Sequence, residues 1–252
     1  MEIQQFTEIA RHYDALMAGV PYRYWVEYIE DILKRLDNRP SAVLDAACGT
    51  GNVSEILAEY GYDVTGVDIS PEMVEVARSK TGEYGPVDYH VQDIAVLELG
   101  KSFDLIISLF DSLNYITEPN HLQKALARIA AHLAPGGVFI FDVNTEYALA
   151  HGFFNQANLD SRNYPKYIWS SSYDRNSRIC TVTMVFEVLD GAVTRQFTEV
   201  HRQRAYGVEE LEEMIADAGL QLVDMFHAYT FSKPRRRSDR VFFVARKPVL
   251  EA

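Results

Sequence analysis

Between residues 40 and 145 short apolar runs alternate with amphipathic stretches, and this alternation restricts the fold more than any other feature of the chain. Runs that are apolar throughout suit strands buried on both faces, and the amphipathic stretches between them suit helices covering a parallel sheet. "AVLDAA" reads as the first strand, "NVSEILAEYG" as a helix stopping at Gly61, and "DVTGVDI" as the second strand. In "SPEMVEVARSK", Ser70 is placed to cap a helix and Pro71 to occupy its first position. A third strand is expected at "VDYHVQD" and a fourth at "FDLIISLF". "PNHLQKALARIAAHL" sets Leu122, Leu126, Ile129 and Leu133 at helical spacing, and "APGG" turns the chain into a fifth strand, "VFIFDV".

After Asn144 the pattern changes. Residues 146–165 are polar and irregular, whereas 166–205 alternate as strands do around the turn "LDGA", which points to a small antiparallel insert. "GVEELEEMIADAGL" resumes a helix, with glutamates in its first turns and Gly219 at its end. "LQLVDMFHAY" and "RVFFVARK" then close the sheet as an antiparallel hairpin around the basic turn "KPRRRSDR".

Composition narrows the function classes. A hydrophobic content of 48% with 24% charged residues is that of a globular chain. No apolar run approaches the roughly 18 residues that span a bilayer, and the N-terminus lacks the basic-then-apolar layout of a secretory signal, so the expectation is a cytoplasmic protein without a membrane partner. A net charge of −12 opposes nonspecific attraction to polyanions, which makes nucleic acid an improbable main substrate. Cys48 and Cys180 are too far apart in sequence for a metal-binding spacing and read as small buried hydrophobes; the histidines, including His12 and His90, show no ligand spacing either, and no metal is expected.

The stretch "DAACGTGNVS" carries the chemistry. A glycine turn between a strand and a helix lets backbone N–H groups approach a nucleotide. The dinucleotide fingerprint needs a third glycine where this chain has Ser54, which argues against NAD. What remains is Asp45 at the end of the first strand, Ala47, Gly49 and Gly51 at alternate positions, and Asp68 seventeen residues later, an acid placed to accept both hydroxyls of a ribose.

On these residues the chain resembles the class I S-adenosylmethionine-dependent methyltransferases, over nearly its whole length. "LDAACGTG" is similar to their first motif, with Ala47 where many members have glycine; "VDIS" to their ribose-binding segment; "QDI" at 92–94 to their adenine-binding turn; and "LAPGGVFIFD" to the entry of their fifth strand. The resemblance implies a Rossmann-like, mostly parallel seven-stranded sheet with a C-terminal antiparallel hairpin and the antiparallel insert after the fifth strand. It implies one domain over 1–252, with a helical lid at 1–38, a cofactor core at 39–145, the insert at 146–206 over the active site, and completion of the core at 207–252. S-adenosylmethionine is the implied cofactor and S-adenosylhomocysteine its product.

The implied cofactor contacts are Tyr13, Asp45, Ala47, Gly49, Gly51, Asp68, Ile69, Met73, Gln92, Asp93, Ile94, Leu109 and Phe110. Asp45 is expected mainly to order the glycine turn through its own backbone, and Asp93 either contacts adenine or caps a turn. Aromatic faces hold a sulfonium and exclude water, so Tyr13, Tyr22 and Trp25 are candidates for the methyl end of the site, the alternative being that they pack a helix on the sheet. Tyr13 lies over the methionyl end by resemblance and is a catalytic candidate.

"YDALMAGVPYRYWVEY", "FDSLNYI", "YIWSSSY" and "SDRVFFVARKP" are similar to a group of little-characterised bacterial methyltransferases and, more distantly, to N-methyltransferases of amino sugars and glycine. Asp111, Asn114 and Tyr115 are candidate acceptor contacts, although a turn entering a helix uses the same residue types. Trp169 and Arg202 join them if the insert lies over the site. His201 is the candidate general base, the alternative being a structural histidine on a strand face. The function expected is methyl transfer to a small molecule, at an amine nitrogen or hydroxyl, by a monomer or homodimer. Two alternatives stand beside it: methylation of RNA or a protein docked through Arg235, Arg236 and Arg237, or a cofactor-binding protein without methyltransferase activity.

Overall fold

A computed structural model describes residues 5–80, 82, 85–159 and 165–249. The remaining residues of the expected lid (1–4), insert (160–164) and C-terminus (250–252), with 81, 83 and 84, lie outside the described residues.

A short 3-10 turn at Ala10–His12 leads into α1 (Tyr13–Leu16) and α2 (Tyr22–Arg35). The core then runs β1 (Ala42–Ala46), α3 (Asn52–Glu59), β2 (Asp63–Asp68), α4 (Pro71–Lys80), β3 (Asp88–Val91), β4 (Phe103–Ser108), α5 (Pro119–His132) and β5 (Leu133–Asn144). After it come α6 (Glu146–Ala150), β6 (Gln156–Asn158), β7 (Lys166–Asp174), β8 (Ile179–Asp190), β9 (Val193–Arg204), α7 (Val208–Asp217), β10 (Gln221–His227) and β11 (Arg240–Arg246). Local signals act as expected: the Met73 N–H donates to Ser70 Oγ at 3.2 Å to start α4, and Gly61 and Gly219 take positive φ of 92° and 78° after α3 and α7.

The seven-stranded sheet has the order β10-β11-β5-β4-β1-β2-β3. β1 to β5 are mutually parallel, and β11 runs antiparallel to both its neighbours. The chain steps outward from β1 to β3 and then returns to lay β4 on the other side of β1. This reversal opens a crevice at the carboxyl ends of β1 and β4, where open α/β sheets bind ligands. Because β11 is reversed, its first residue, Arg240, reaches the same edge.

One face of the sheet buries Leu44, Ile106, Phe139 and Phe243 with α5 and α7, and the other buries Val43, Ile107, Ile140 and Phe242 with α2, α3 and α4. The second sheet, β6-β7-β8-β9, is antiparallel throughout. Cys180, Val182, Met184, Phe186 and Val188 alternate along β8 onto a third apolar cluster that includes Ile9 and Leu149.

The structure corrects the expectation for 146–165. That stretch is not wholly irregular: Thr145 Oγ1 accepts from the Ala148 N–H at 3.4 Å to start α6, and β6 adds a fourth strand to the insert. Neither signal exceeds a few residues, which is too short for periodicity to reveal.

Candidate active site

The chain reverses sharply after β1. Ala47, Gly49 and Gly51 all have positive φ, at 66°, 56° and 79°. The backbone N–H groups of Ala47 and Cys48 donate to Val67 O at 2.7 and 2.9 Å, and the Gly49 N–H donates to Asp68 Oδ2 at 2.8 Å. Adjacent strands β1 and β2 thus hold the turn, and an ordinary residue, Ala47, keeps a conformation that costs an L-amino acid roughly 1–2 kcal/mol. A Cβ at Gly49 would meet nothing within 4 Å, so the outer side of the turn is open toward the cavity.

Asp14 pins the N-terminal segment to this turn. Its carboxylate accepts from Thr50 Oγ1 at 2.6 Å, Asn52 Nδ2 at 2.9 Å and Lys80 Nζ at 2.7 Å. Burial raises its pKa, yet the bonds from Lys80, Thr50 and Asn52 outweigh that and hold the carboxyl below its usual range. Tyr13, the residue before it, is thereby set on the cavity wall.

Three acids stand at or next to the carboxyl ends of β1, β2 and β3. Asp68 accepts the Ser70 N–H at 2.9 Å in addition to that of Gly49; burial raises its pKa, and these N–H bonds oppose the rise. Asp93 caps its own turn through the Ala95 N–H at 2.8 Å and meets His121 Nε2 at 2.9 Å. Asp45 departs from expectation. Its partner is the Ser54 hydroxyl at 2.6 Å rather than its own backbone, and burial, opposed by that hydroxyl and reinforced by the Asp68 charge, pushes its pKa up to about 7. Met73 and Ile94 supply apolar wall, Ile69 stands largely exposed at the rim, and the Gln92 amide is tied to Glu98.

On the β4 side, Phe110 and Asp111 take positive φ of 64° and 53°. Asp142 on β5 stabilises this bend by accepting the Phe110 and Asp111 N–H groups at 2.7 and 2.9 Å. Arg240 bridges the two carboxylates, bonding Asp142 with one arm and Asp111 at 2.6 Å with the other, while Gln203 Nε2 donates to Asp111 at 2.6 Å. Trp25 packs tilted against Phe110 and edge-to-face with Tyr22, each with ring centroids 5.1 Å away.

The insert closes the opposite wall. Glu199 on β9 is fully buried and bonds His201 Nε2 at 2.8 Å, while His201 Nδ1 faces the Tyr115 hydroxyl at 3.3 Å. The Phe6 ring lies against His201 and Tyr115, with centroids 4.5 and 5.1 Å away. Trp169, Met184, Phe186 and Arg202 complete a cavity of about 890 Å³ running from the glycine turn to the insert.

Of the residues expected at the site, this cavity gathers Tyr13, Tyr22, Trp25, Asp45, Ala47, Gly49, Asp68, Ile69, Met73, Gln92, Asp93, Ile94, Leu109, Phe110, Asp111, Tyr115, Trp169, His201 and Arg202. Two lie outside its lining. Gly51 sits behind the turn, where a Cβ would strike the Tyr89 hydroxyl and come within 2.8 Å of its ring carbon Cζ. Asn114 is fully buried; its side chain accepts the Asn144 N–H at 2.9 Å and donates to Asn144 O and Arg204 O at 3.0 and 2.9 Å, so it joins the two sheets instead of reaching an acceptor. Asp111 reaches the cavity, but with its carboxylate already committed to Arg240 and Gln203.

Sequence reasoning missed Phe6, Asp14, Asp142, Glu199, Gln203 and Arg240. Asp14 and Arg240 do stand inside stretches singled out for resemblance, "YDALMAGVPYRYWVEY" and "SDRVFFVARKP". The polar alternation Glu199, His201, Gln203 on one face of a strand was a further signal, because same-face polar residues on a strand covered by other elements must find partners.

The residues present suit S-adenosylmethionine: acids at the ends of β2 and β3 for hydroxyl and amino groups, apolar walls for a base, an open glycine turn, and aromatic rings for a cation. The comparisons agree. A family model described as a methyltransferase domain matches residues 43–137. YqeM of Bacillus subtilis (strain 168), named as a methyltransferase, is 34% identical over 236 residues, covering 93% of this chain and 94% of that protein. A dTDP-3-amino-3,4,6-trideoxy-alpha-D-glucopyranose N,N-dimethyltransferase of Streptomyces venezuelae is 28% identical over 206 residues, covering 81% of this chain and 85% of that protein. The crystal structure of an S-adenosylmethionine-dependent methyltransferase from Clostridium acetobutylicum ATCC 824 superposes with a TM-score of 0.85 at 29% identity, over 97% of this chain and all of the other.

The chain belongs to the class I S-adenosylmethionine-dependent methyltransferases. It is an enzyme, and its cofactor is S-adenosylmethionine. Among the described residues no helix is long and apolar enough to cross a membrane.

Proposed function

We propose that the chain methylates a small-molecule acceptor at an amine nitrogen or a hydroxyl, inside the cavity between the cofactor edge of the main sheet and the insert. The observation that carries this reading is the continuous cavity of about 890 Å³, walled by the glycine turn at one end and by Trp169, Met184 and Phe186 at the other. Its size lies at the upper end of the roughly 300–1,000 Å³ typical of small-ligand sites, room for a cofactor and a small acceptor together. The relative from Streptomyces venezuelae, named for an amino-sugar substrate, supports an acceptor of small-molecule size.

When bound, S-adenosylmethionine supplies an electrophilic methyl group on a sulfonium. In this reading Asp68 accepts from the ribose hydroxyls and Asp93 from the adenine amino group, while Met73 and Ile94 pack on the base. Tyr13, Tyr22, Trp25 and Phe110 exclude water and turn ring faces toward the cation. Tyr115, Trp169 and Arg202 border the acceptor, with Asp111 held behind them by Arg240. Positioning supplies most of the rate enhancement.

The proton leaves along a defined route. Glu199 already accepts backbone N–H groups, so it accepts from His201 Nε2–H too, and the lone pair of His201 rests on Nδ1, facing Tyr115. His201 thus acts through Tyr115, whose hydroxyl takes the acceptor's proton while passing its own to Nδ1. In this reading the described parts of the lid (1–38) and of the insert (146–206) enclose this chemistry, within one domain acting in the cytoplasm.

Incubation with S-adenosylmethionine and a panel of small amines and hydroxyl compounds tests the reading, with S-adenosylhomocysteine as the readout. Product is expected with a member of that panel. Product formed only with RNA or protein acceptors, or with none, contradicts it.

A further inference from the structure

Glu199 performs a second task that spans the cavity. Its Oε1 accepts the backbone N–H groups of Glu8 at 2.9 Å and Ile9 at 3.0 Å, and its Oε2 accepts the Phe6 N–H at 3.2 Å as well as His201 Nε2. A carboxylate on the insert thereby fastens a segment from the opposite end of the chain, more than 190 positions away. The other side of that segment meets the cofactor edge: the Ser70 hydroxyl lies 3.2 Å from Phe6 O and 3.1 Å from Glu72 Oε2 and shares its one proton between them, and the Ser70 N–H is held by Asp68. Phe6 itself has a φ of 61°, a left-handed conformation that a bulky residue keeps only when its surroundings impose it. Its ring fills the space between Tyr13, Tyr115 and His201, and both Phe6 and Ile9 line the cavity.

We propose that Glu199 is a positioning residue that latches residues 6–9 as a strap across the cavity, so that cofactor exchange requires the strap to release from Glu199. The proposal rests on the reading that this cavity holds the cofactor. Its physical basis is that one buried acceptor set satisfies three backbone donors of a segment that the Arg195–Glu8 ion pair and the buried Ile9 side chain also tie to the insert. Releasing the strap relieves the strain at Phe6 but strands a buried carboxylate, so the closed arrangement is favoured while Glu199 keeps both oxygens as acceptors. Because the strap's far end is Ser70, two residues from Asp68, occupancy of the cofactor edge and closure of the strap stabilise one another.

The test uses Glu199→Gln, which keeps the volume but turns one acceptor oxygen into an N–H donor facing two donors, and Ile9→Pro, which deletes one N–H that Glu199 accepts at a backbone φ of −76° that proline can adopt. Both tryptophans, Trp25 and Trp169, line the cavity, so stopped-flow fluorescence reads S-adenosylhomocysteine release directly. Tenfold or faster release is expected from both variants, with amide exchange accelerated at Phe6 and Glu8 and unchanged in β4 and β5. If Glu199→Gln fails to fold, Ile9→Pro carries the release measurement alone. Release at the rate of the unmodified protein, with a folded variant, overturns the proposal. Absence of S-adenosylhomocysteine binding by the unmodified protein overturns the reading of the cavity itself, and the strap with it.

Discussion

Arg240 lies 2.6 Å from Asp111 on the inner wall of the cavity, and its second arm bonds Asp142, the residue that holds the bend at Phe110 and Asp111. Two buried acids in contact repel, and desolvation raises the pKa of Asp111; the guanidinium is the opposing charge that lets the bend exist.

Arg240→Met is therefore expected to destabilise the fold by about 3–5 kcal/mol, because it leaves buried carboxylates without their cation. Adding Asp111→Asn should recover part of that loss. Urea unfolding of the single and double variants measures it, and additive losses would show that the two residues are not coupled.

Asp45 makes stability depend on pH. Its pKa in the folded protein is pushed up to about 7 from an ordinary 3.8, so the folded state binds the proton more tightly than the unfolded chain does. The contribution of this group is complete below the ordinary carboxylate range and is lost as pH rises through about 7, with a slope approaching 1.4 kcal/mol per pH unit. Asp45→Asn should remove that slope. Unfolding curves between pH 4 and 8 that keep it in the variant would assign the proton elsewhere.

The glycines of the turn should differ in their tolerance. Gly49→Ala meets open space and bears only the backbone strain of a positive φ, about 1 kcal/mol. Gly51→Ala adds a collision with the Tyr89 ring and should lose several times as much stability. Equal thermal shifts would mean that the packing behind the turn yields freely.

Asn114→Ala should lower stability by about 2 kcal/mol or more, since it removes three bonds that join the Asn144 backbone to the end of β9. Cofactor affinity should stay within twofold. A selective loss of affinity, with stability intact, would return Asn114 to the site.

How far the sequence reveals this molecule depends on the distance between partners. The strands from β1 to β5, the caps at Ser70 and Gly61 and the glycine turn are legible because their signals are local: periodicity, a capping side chain, a residue without Cβ. Asp68 and Asp93 are legible because each ends a strand at the ligand edge. Asp111 and Asn114 carry the right residue types for an acceptor contact, yet the groups that occupy them, Arg240 and Arg204, come 129 and 90 positions later. Glu199 shows the same limit: its partners at the N-terminus offer only backbone N–H groups, which no residue pattern marks.

Calorimetric titration shows whether the cavity beside the glycine turn binds the cofactor. S-adenosylmethionine and S-adenosylhomocysteine should each bind saturably and NAD should not, while Asp68→Ala should weaken both adenosyl ligands by about 1.5–3 kcal/mol through loss of charged hydrogen bonds. Undiminished affinity in Asp68→Ala, or no adenosyl binding by the unmodified protein, would contradict the placement of the cofactor at this turn.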